Sequence, residues 1–261
     1  MTIPLKSSQQ IEGISVAGKI LAKILKILER EAKVGIKLSD LNKLAYHLTR
    51  CEKAQPAFLG YQPDAAARPF GASICASVNE VVVHGFPSDY KLISGDVLKI
   101  DFGVEHNGFF ADAAITIGIG EISKQAKHLI KTTKLALDKA IKITKPDNTL
   151  GDIGWIIQKT AQKNGFKVIR DLTGHGIGLA LHEEPTIYNF GPSAFGKRVR
   201  DKGLELKPGM VLAIEPMLSI GSEKIVQMPD ESWATTDGSL SAHFEHTIAI
   251  TEKGTKILTI G

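Results

Sequence analysis

At 261 residues, 43% hydrophobic and 23% charged, the chain has the apolar content to bury a sizeable core, and wholesale disorder is excluded. A formal net charge of +4 allows a mild attraction to nucleic acid or ribosomal surfaces without requiring one. Two cysteines, Cys51 and Cys75, exclude a disulfide framework or a cysteine-rich zinc module, and no run approaches the roughly eighteen apolar residues of a membrane span. The opening MTIPLKSSQQ lacks a signal pattern, so a cytoplasmic, unanchored protein is expected.

Over residues 8–33, Ile11, Ile14, Leu21, Leu25 and Leu28 recur at helical steps among Lys and Glu, which predicts an amphipathic helix with a packed face. Ser39 reads as the N-cap of a second helix through Leu41, Leu44, Ala45 and Leu48 toward Cys51. Gly- and Pro-rich sequence follows to Gly71. Residues 73–83 are β-rich, and Gly85 and Pro87 break that run just after His84. Residues 97–102 and 109–117 have β-forming composition, and His106-Asn107-Gly108 between them carries a tight-turn signal, so an antiparallel hairpin is expected. A long helix is predicted over 123–144, with Leu129, Ile130, Leu137 and Ile141 on its apolar side, and a shorter one over 150–164. A β-like run over 166–172, a glycine-rich turn around His175 and further β-rich segments complete the chain.

The hairpin holds the anomaly, because Asp101 and Asp112 interrupt otherwise apolar strands. A two-residue turn at Asn107-Gly108 would set Asp101 opposite Ala114, with Asp112 its diagonal neighbour on the same face. A turn one residue earlier would oppose the two directly. In either register two carboxylates share a face, and at ~4 Å with an effective dielectric near 20 their repulsion approaches roughly 4 kcal/mol. A cation has to lie between them, either Lys or Arg from elsewhere or a metal ion.

The order of segments repeats. Leu38-Ser39-Asp40-Leu41 recurs as Leu150-Gly151-Asp152-Ile153, and His84-Gly85-Phe86-Pro87 as His182-Glu183-Glu184-Pro185. Gly95-Asp96-Val97-Leu98-Lys99-Ile100-Asp101 recurs as Gly209-Met210-Val211-Leu212-Ala213-Ile214-Glu215, and Asp112-Ala113-Ala114-Ile115 as Glu245-His246-Thr247-Ile248. Four matches in one order predict a single domain over residues 1–261, built of two pseudo-symmetric halves at about 1–121 and 122–261. Those halves would bring Asp101, Asp112, Glu215 and Glu245 to one shared site. Four negative charges in a small apolar volume exceed what a pair of lysines neutralises, whereas two divalent cations suffice. In two-metal sites, ions about 3.5–4 Å apart can bring a bound water to a pKa of about 7.

His175, flanked by Gly174 and Gly176, which would let backbone and substrate approach closely, is the next candidate ligand. Four carboxylates and one imidazole suit manganese, iron, cobalt or zinc better than calcium. Leu179 stands where the last glycine of a dinucleotide fingerprint would fall, which argues against that motif. The matched His84 and His182 read either as satisfied histidines at strand ends or, as the repeat favours, as donors facing the shared site. Lys197-Arg198-Val199-Arg200 reads as a solvated loop.

Taken together, SVNEVVVHGFP, DVLKIDFGVEHNGFFADAA, GHGIGLALHEEP, PGMVLAIEPM and SAHFEHT closely resemble the type I methionine aminopeptidases over nearly the whole chain. The resemblance implies an α+β pita-bread fold, creatinase/aminopeptidase-like, in which an antiparallel β-sheet is covered by helices. It implies removal of the initiator methionine from nascent polypeptides when the second residue is small. By motif position the metal ligands would be Asp101, Asp112, His175, Glu215 and Glu245, holding two divalent ions from among cobalt, manganese, iron, zinc and nickel. Asp112 and Glu245 would bridge both ions, Glu215 would shuttle a proton, and His84 and His182 would contact the scissile peptide. Phe70, Cys75 and Trp233 would line the methionine pocket. A cytoplasmic monomer acting on nascent N-termini follows, with ribosome association left open.

The short stretch between Glu215 and Glu245 leaves no room for the helical insertion of type II enzymes, and no zinc module or basic extension precedes Ile11, so the catalytic core alone is expected. Two departures fall near the pocket. Leu181 stands where relatives often carry phenylalanine and Ala67 where an aromatic is common, and the segment 188–206 is longer than in some relatives. Two other readings share the fold: an Xaa-Pro peptidase, and a non-catalytic module binding RNA or nascent chains. Modules of that second kind typically lack metal ligands.

Overall fold

The computed structural model describes residues 3–63, 68–191 and 203–261; Ala67 and the run Lys197-Arg198-Val199-Arg200 lie outside the described residues. Two helix pairs organise the chain. Helix α1 (Ser8–Glu31) opens with a capping box in which the Ser7 hydroxyl accepts from the Gln10 N–H while the Gln10 side chain accepts from the Ser7 N–H. Helix α2 (Leu38–Cys51) starts before Ser39, which is not its cap: the Ser39 hydroxyl donates to Asp89 Oδ1 at 2.6 Å, and Lys37 holds the N-cap position without a side-chain bond. Helix α3 (Lys124–Ile143) is capped by Ser123, and α4 (Leu150–Lys163) by a Thr149–Asp152 capping box. Both α2 and α4 are 14 residues long and follow a longer helix.

The strands in the first part of the chain are β1 (Gln55–Pro56), β2 (Cys75–Val78), β3 (Val81–Val83), β4 (Val97–His106) and β5 (Phe109–Gly118). After α4 come β6 (Lys167–Val168), β7 (Thr173–Gly176), β8 (Glu183–Tyr188), β9 (Val211–Ile214) and β10 (Met217–Ser219). The chain ends with β11 (Ile225–Gln227), β12 (Trp233–Thr235), β13 (Ser241–His243), β14 (His246–Thr251) and β15 (Gly254–Ile257). Strand β4 pairs with β1, β2 and β5, and a five-stranded sheet runs β15-β14-β9-β7-β8. Two three-stranded sheets, β13-β10-β6 and β11-β12-β3, complete the pairing.

Period-two alternation decides where the acids lie. Leu98, Ile100, Phe102 and Val104 of β4 pack against Leu21, Ile24 and Leu28 of α1, so Asp101 faces away from the helices. In the second part, Leu212 and Ile214 of β9 and Ile248 and Ile250 of β14 pack with Ala136, Leu137 and Ala140 of α3. Each such Leu, Ile, Val or Phe side chain contributes about 1.5–3 kcal/mol when fully buried, which anchors the register of the opposite, functional face.

Two expectations change. The β-rich run 73–83 is two strands, because Asn79 takes a left-handed conformation at φ 55° and turns the chain. The glycine-rich turn at His175 is instead strand β7, held between β8 and β9. A Cβ at Gly174 would strike the Ala213 carbonyl, and one at Gly176 the Glu184 carbonyl, so these glycines serve close strand packing and not a turn. Among the described residues no helix is long and apolar enough to cross a membrane.

Gly18, inside α1, packs against the backbone carbonyl of Leu258, where a Cβ would collide. Gly18→Ala should therefore destabilise the protein by about 1–3 kcal/mol through overpacking, overriding the roughly 1 kcal/mol gain in helix propensity. A melting temperature at or above that of the parent protein would contradict this packing.

Candidate metal centre

The hairpin takes the first of the two expected registers. Asn107 at φ 53° and Gly108 at φ 81° form its turn, Asp101 pairs with Ala114, and Asp112 pairs with Gly103. The two carboxylates are therefore diagonal neighbours on one face. Strand β5 is stitched to the chain around β14: the Asp112 N–H donates to Thr247 Oγ1 at 2.9 Å, and that hydroxyl donates to the Asp112 carbonyl at 2.7 Å. Next to this reciprocal pair the Glu245 N–H donates to the Ala114 carbonyl at 2.9 Å. These backbone bonds place Asp112 and Glu245 side by side although they are far apart in sequence.

His175 enters from β7. Its Nδ1–H donates to the Gly176 carbonyl at 2.8 Å, which leaves Nε2 with its lone pair free, as a metal-ligating imidazole requires. Nε2 lies 3.6 Å from Glu215 Oε1, and His243 Nε2 lies 3.4 Å from Glu215 Oε2. One donor atom each from Asp112, His175 and Glu245 lie within 4.8 Å of one another.

The electrostatics are those of a site in need of positive charge. Asp101 Oδ1, Asp112 Oδ1 and Glu245 Oε1 are buried without a hydrogen-bond partner among the described residues. Burial, then the charge of Asp112, holds the Asp101 carboxyl well above the usual carboxylate range, and burial pushes Asp112 up to about 7. Glu215 and Glu245 are likewise raised well above theirs, by burial first and then by neighbouring acids. No Lys or Arg among the described residues offsets Asp101 or Asp112, so a bridging basic side chain is not how this pair is balanced. Burial holds His175 at about 4 and His243 at about 3, which keeps both imidazoles neutral at pH 7. Orphaned acids beside a neutral imidazole are a donor set that fits a divalent cation.

The carboxylates line a cavity of about 1160 Å³. His84, His182, Phe70, Cys75 and Trp233, the other residues singled out by the sequence, line the same cavity. Cys75 pairs with Asp101 across β2 and β4, and burial pushes its thiol well up. His84 follows β3 in a left-handed conformation, φ 59°. His182 precedes β8 in a turn pinned by Glu183, whose Oε1 accepts from the Leu179 and Ala180 N–H groups at 2.7 and 2.9 Å and whose other oxygen pairs with Lys6. Leu181 is buried in the apolar cluster with Ile14 and Ile177 and does not line the cavity. Its effect on a substrate would thus be indirect.

Sequence reasoning missed two residues here. Tyr61 places its hydroxyl 2.6 Å from His182 Nδ1, a contact no local pattern announces. His243 had a signal, because it stands two residues before Glu245 and extended chain returns alternate residues to the same face.

Buried, unpaired carboxylates and a neutral histidine opening into a cleft define a metal-dependent hydrolase. Metallopeptidase family M24 matches residues 12–252. A methionine aminopeptidase of Aquifex aeolicus is 45% identical over 262 residues, covering 99% of each chain. The crystal structure of a methionine aminopeptidase from Thermotoga maritima superposes with a TM-score of 0.92 at 40% identity, covering 100% of both chains. A prolidase from Pyrococcus furiosus, at 23% identity, has a TM-score of 0.74 over 98% of this chain and 65% of its own, and shares the pita-bread fold. The chain belongs to metallopeptidase family M24 and, within it, to the methionine aminopeptidases.

The raised acids make stability depend on pH. Between their ordinary and raised pKa values the folded metal-free chain holds protons that the unfolded chain has released, so stability falls as pH rises. Lys99, lowered to about 7 by burial, acts in the opposite sense, but with one proton against those of Asp101, Glu215 and Glu245. The lowered histidines oppose it only below about pH 6.5. The metal-stripped protein should therefore lose melting temperature as pH rises through about 7, where Asp112 releases its proton while the other raised acids still hold theirs, and saturating manganese should flatten that slope. A flat or rising profile without metal would contradict the charge cluster.

Proposed function

We propose that the chain removes the N-terminal methionine of nascent polypeptides whose second residue is small, using two divalent ions held by Asp101, Asp112, His175, Glu215 and Glu245. The carrying observation is the convergence of the four acids, Asp112 and Glu245 buried and Asp101 and Glu215 partly so, and the neutral His175 in one cavity, in a chain of the methionine aminopeptidase family. The donor set is compatible with cobalt, manganese, iron, zinc or nickel. Bound there, divalent ions supply a Lewis acid and lower the pKa of a water, giving a nucleophile at neutral pH.

The chain's own groups supply the rest. Asp112 and Glu245, adjacent through the bonds that join β5 to the start of β14, would hold the ions between them. Glu215, between His175 and His243, takes the proton of the attacking water and returns it to the leaving amine. Burial holds His182 at about 3, so it meets a substrate carbonyl as a neutral N–H donor, and His84 on the same wall contacts the amide. Phe70, Cys75 and Trp233 receive the methionine side chain, where sulfur meets aromatic and apolar surface. We further read the chain as one catalytic domain of two halves, working as a cytoplasmic monomer, with its net charge of +4 available for ribosome contact.

The second residue has to pass His84 without shifting the carbonyl from the acids. A displacement of ~1 Å there costs on the order of 100-fold, so kcat/KM for Met-Thr peptides should exceed that for Met-Leu peptides by about that factor. Comparable hydrolysis of the two would overturn the small-residue rule. Glu245→Ala should leave the purified protein with fewer than two ions per chain by elemental analysis and without aminopeptidase activity. Two ions per chain with parental turnover would remove Glu245 from the ligand set.

A further inference from the structure

Tyr61 belongs to none of the motifs that mark the metal centre, yet its hydroxyl oxygen lies 2.6 Å from Nδ1 of His182. One proton occupies that line. A phenol O–H is a stronger donor than a neutral imidazole N–H and the imidazole nitrogen the better acceptor, while a phenol with pKa about 10 does not yield its proton to an imidazole whose acid has pKa about 6.5, so Tyr61 donates and Nδ1 accepts. The ring hydrogen of His182 is then on Nε2. Tyr61 is itself firmly placed: its N–H donates to the Phe58 carbonyl at 3.0 Å, and its carbonyl accepts from the Phe70 N–H at 2.9 Å. The His182 imidazole lies between two rings, Tyr61 at 5.1 Å and His175 at 4.3 Å between centroids. A ring flip would put Cδ2 where Nδ1 stands and forfeit the Tyr61 bond.

We propose that Tyr61 is a positioning residue, which holds His182 as the Nε2–H tautomer and in one orientation, so that the imidazole presents a hydrogen-bond donor to the carbonyl of the bond being cleaved. This rests on the aminopeptidase reading. The other tautomer offers only a lone pair at Nε2 and would repel a developing oxyanion. A donor aimed at that oxygen is worth most in the transition state, so the effect of Tyr61 belongs in kcat and not in KM.

Tyr61→Phe keeps the ring and removes only the O–H. With a Met-Ala-Ser peptide, kcat should fall about tenfold as the imidazole loosens, while KM and metal content stay within about twofold of the parent. Nitrogen-15 NMR of the zinc-loaded full-length protein supplies a second readout that needs no substrate. The His182 signals, identified by their loss in His182→Ala, should show an unprotonated, hydrogen-bonded Nδ1 and a protonated Nε2. The Nδ1 signal should shift toward that of a free nitrogen in Tyr61→Phe. A protonated Nδ1 in the parent protein, or parental kcat in Tyr61→Phe, would overturn the proposal. Should the parent protein release no methionine, the aminopeptidase reading falls instead, and the NMR readout alone decides the tautomer.

Discussion

Four carboxylates in one buried volume are the constraint on which the rest of this structure depends. Two ionised carboxylates ~4 Å apart at an effective dielectric near 20 repel by roughly 4 kcal/mol, a large fraction of the 5–15 kcal/mol that typically holds a domain together. The fold accepts this because backbone geometry leaves the acids nowhere else to go. Leu98, Ile100 and Phe102 commit β4 to α1, and Leu212 and Ile214 commit β9 to α3, so the alternate positions of both strands turn to the seam. The Asp112–Thr247 pair and the Glu245–Ala114 bond then fix how closely the acids approach. A divalent cation is the chemical complement of that geometry.

Lys99 shows that the positive charge does not come from within. It is a buried lysine on the same face as Asp101, but its ammonium donates to the Asn79 carbonyl at 2.7 Å and lies 3.4 Å from the Ser241 carbonyl, tying β4 to β13. Burial lowers its pKa to about 7, so it is at best half charged near neutrality. It serves as a cross-brace between elements that carry Asp101 and His243, and leaves the acids to be balanced by metal.

Much of this was legible in the chain itself, for identifiable reasons. Hairpin periodicity around Asn107-Gly108 located Asp101 and Asp112 on one face, because turn type sets register and register sets the face. The internal matches picked out Glu215 and Glu245 because each stands in register with an acid of the hairpin, Glu215 with Asp101 and Glu245 with Asp112. The failures are equally physical. The segment around His175 read as a turn and is a strand, while the close backbone approach expected of its glycines is what they supply, to β8 and β9. Ser39 looked like a cap, but tertiary contact with Asp89 claimed its hydroxyl. Tyr61 was invisible because its partner lies far along the chain and their meeting depends on the assembled cavity.

The most direct test of the account is anomalous diffraction from crystals grown with manganese. Two anomalous peaks are expected in the cavity, within coordination distance of the residues that would hold the ions, Asp101, Asp112, His175, Glu215 and Glu245. Four ionised carboxylates around an ordered cavity without any anomalous peak, in protein that still releases methionine, would contradict it.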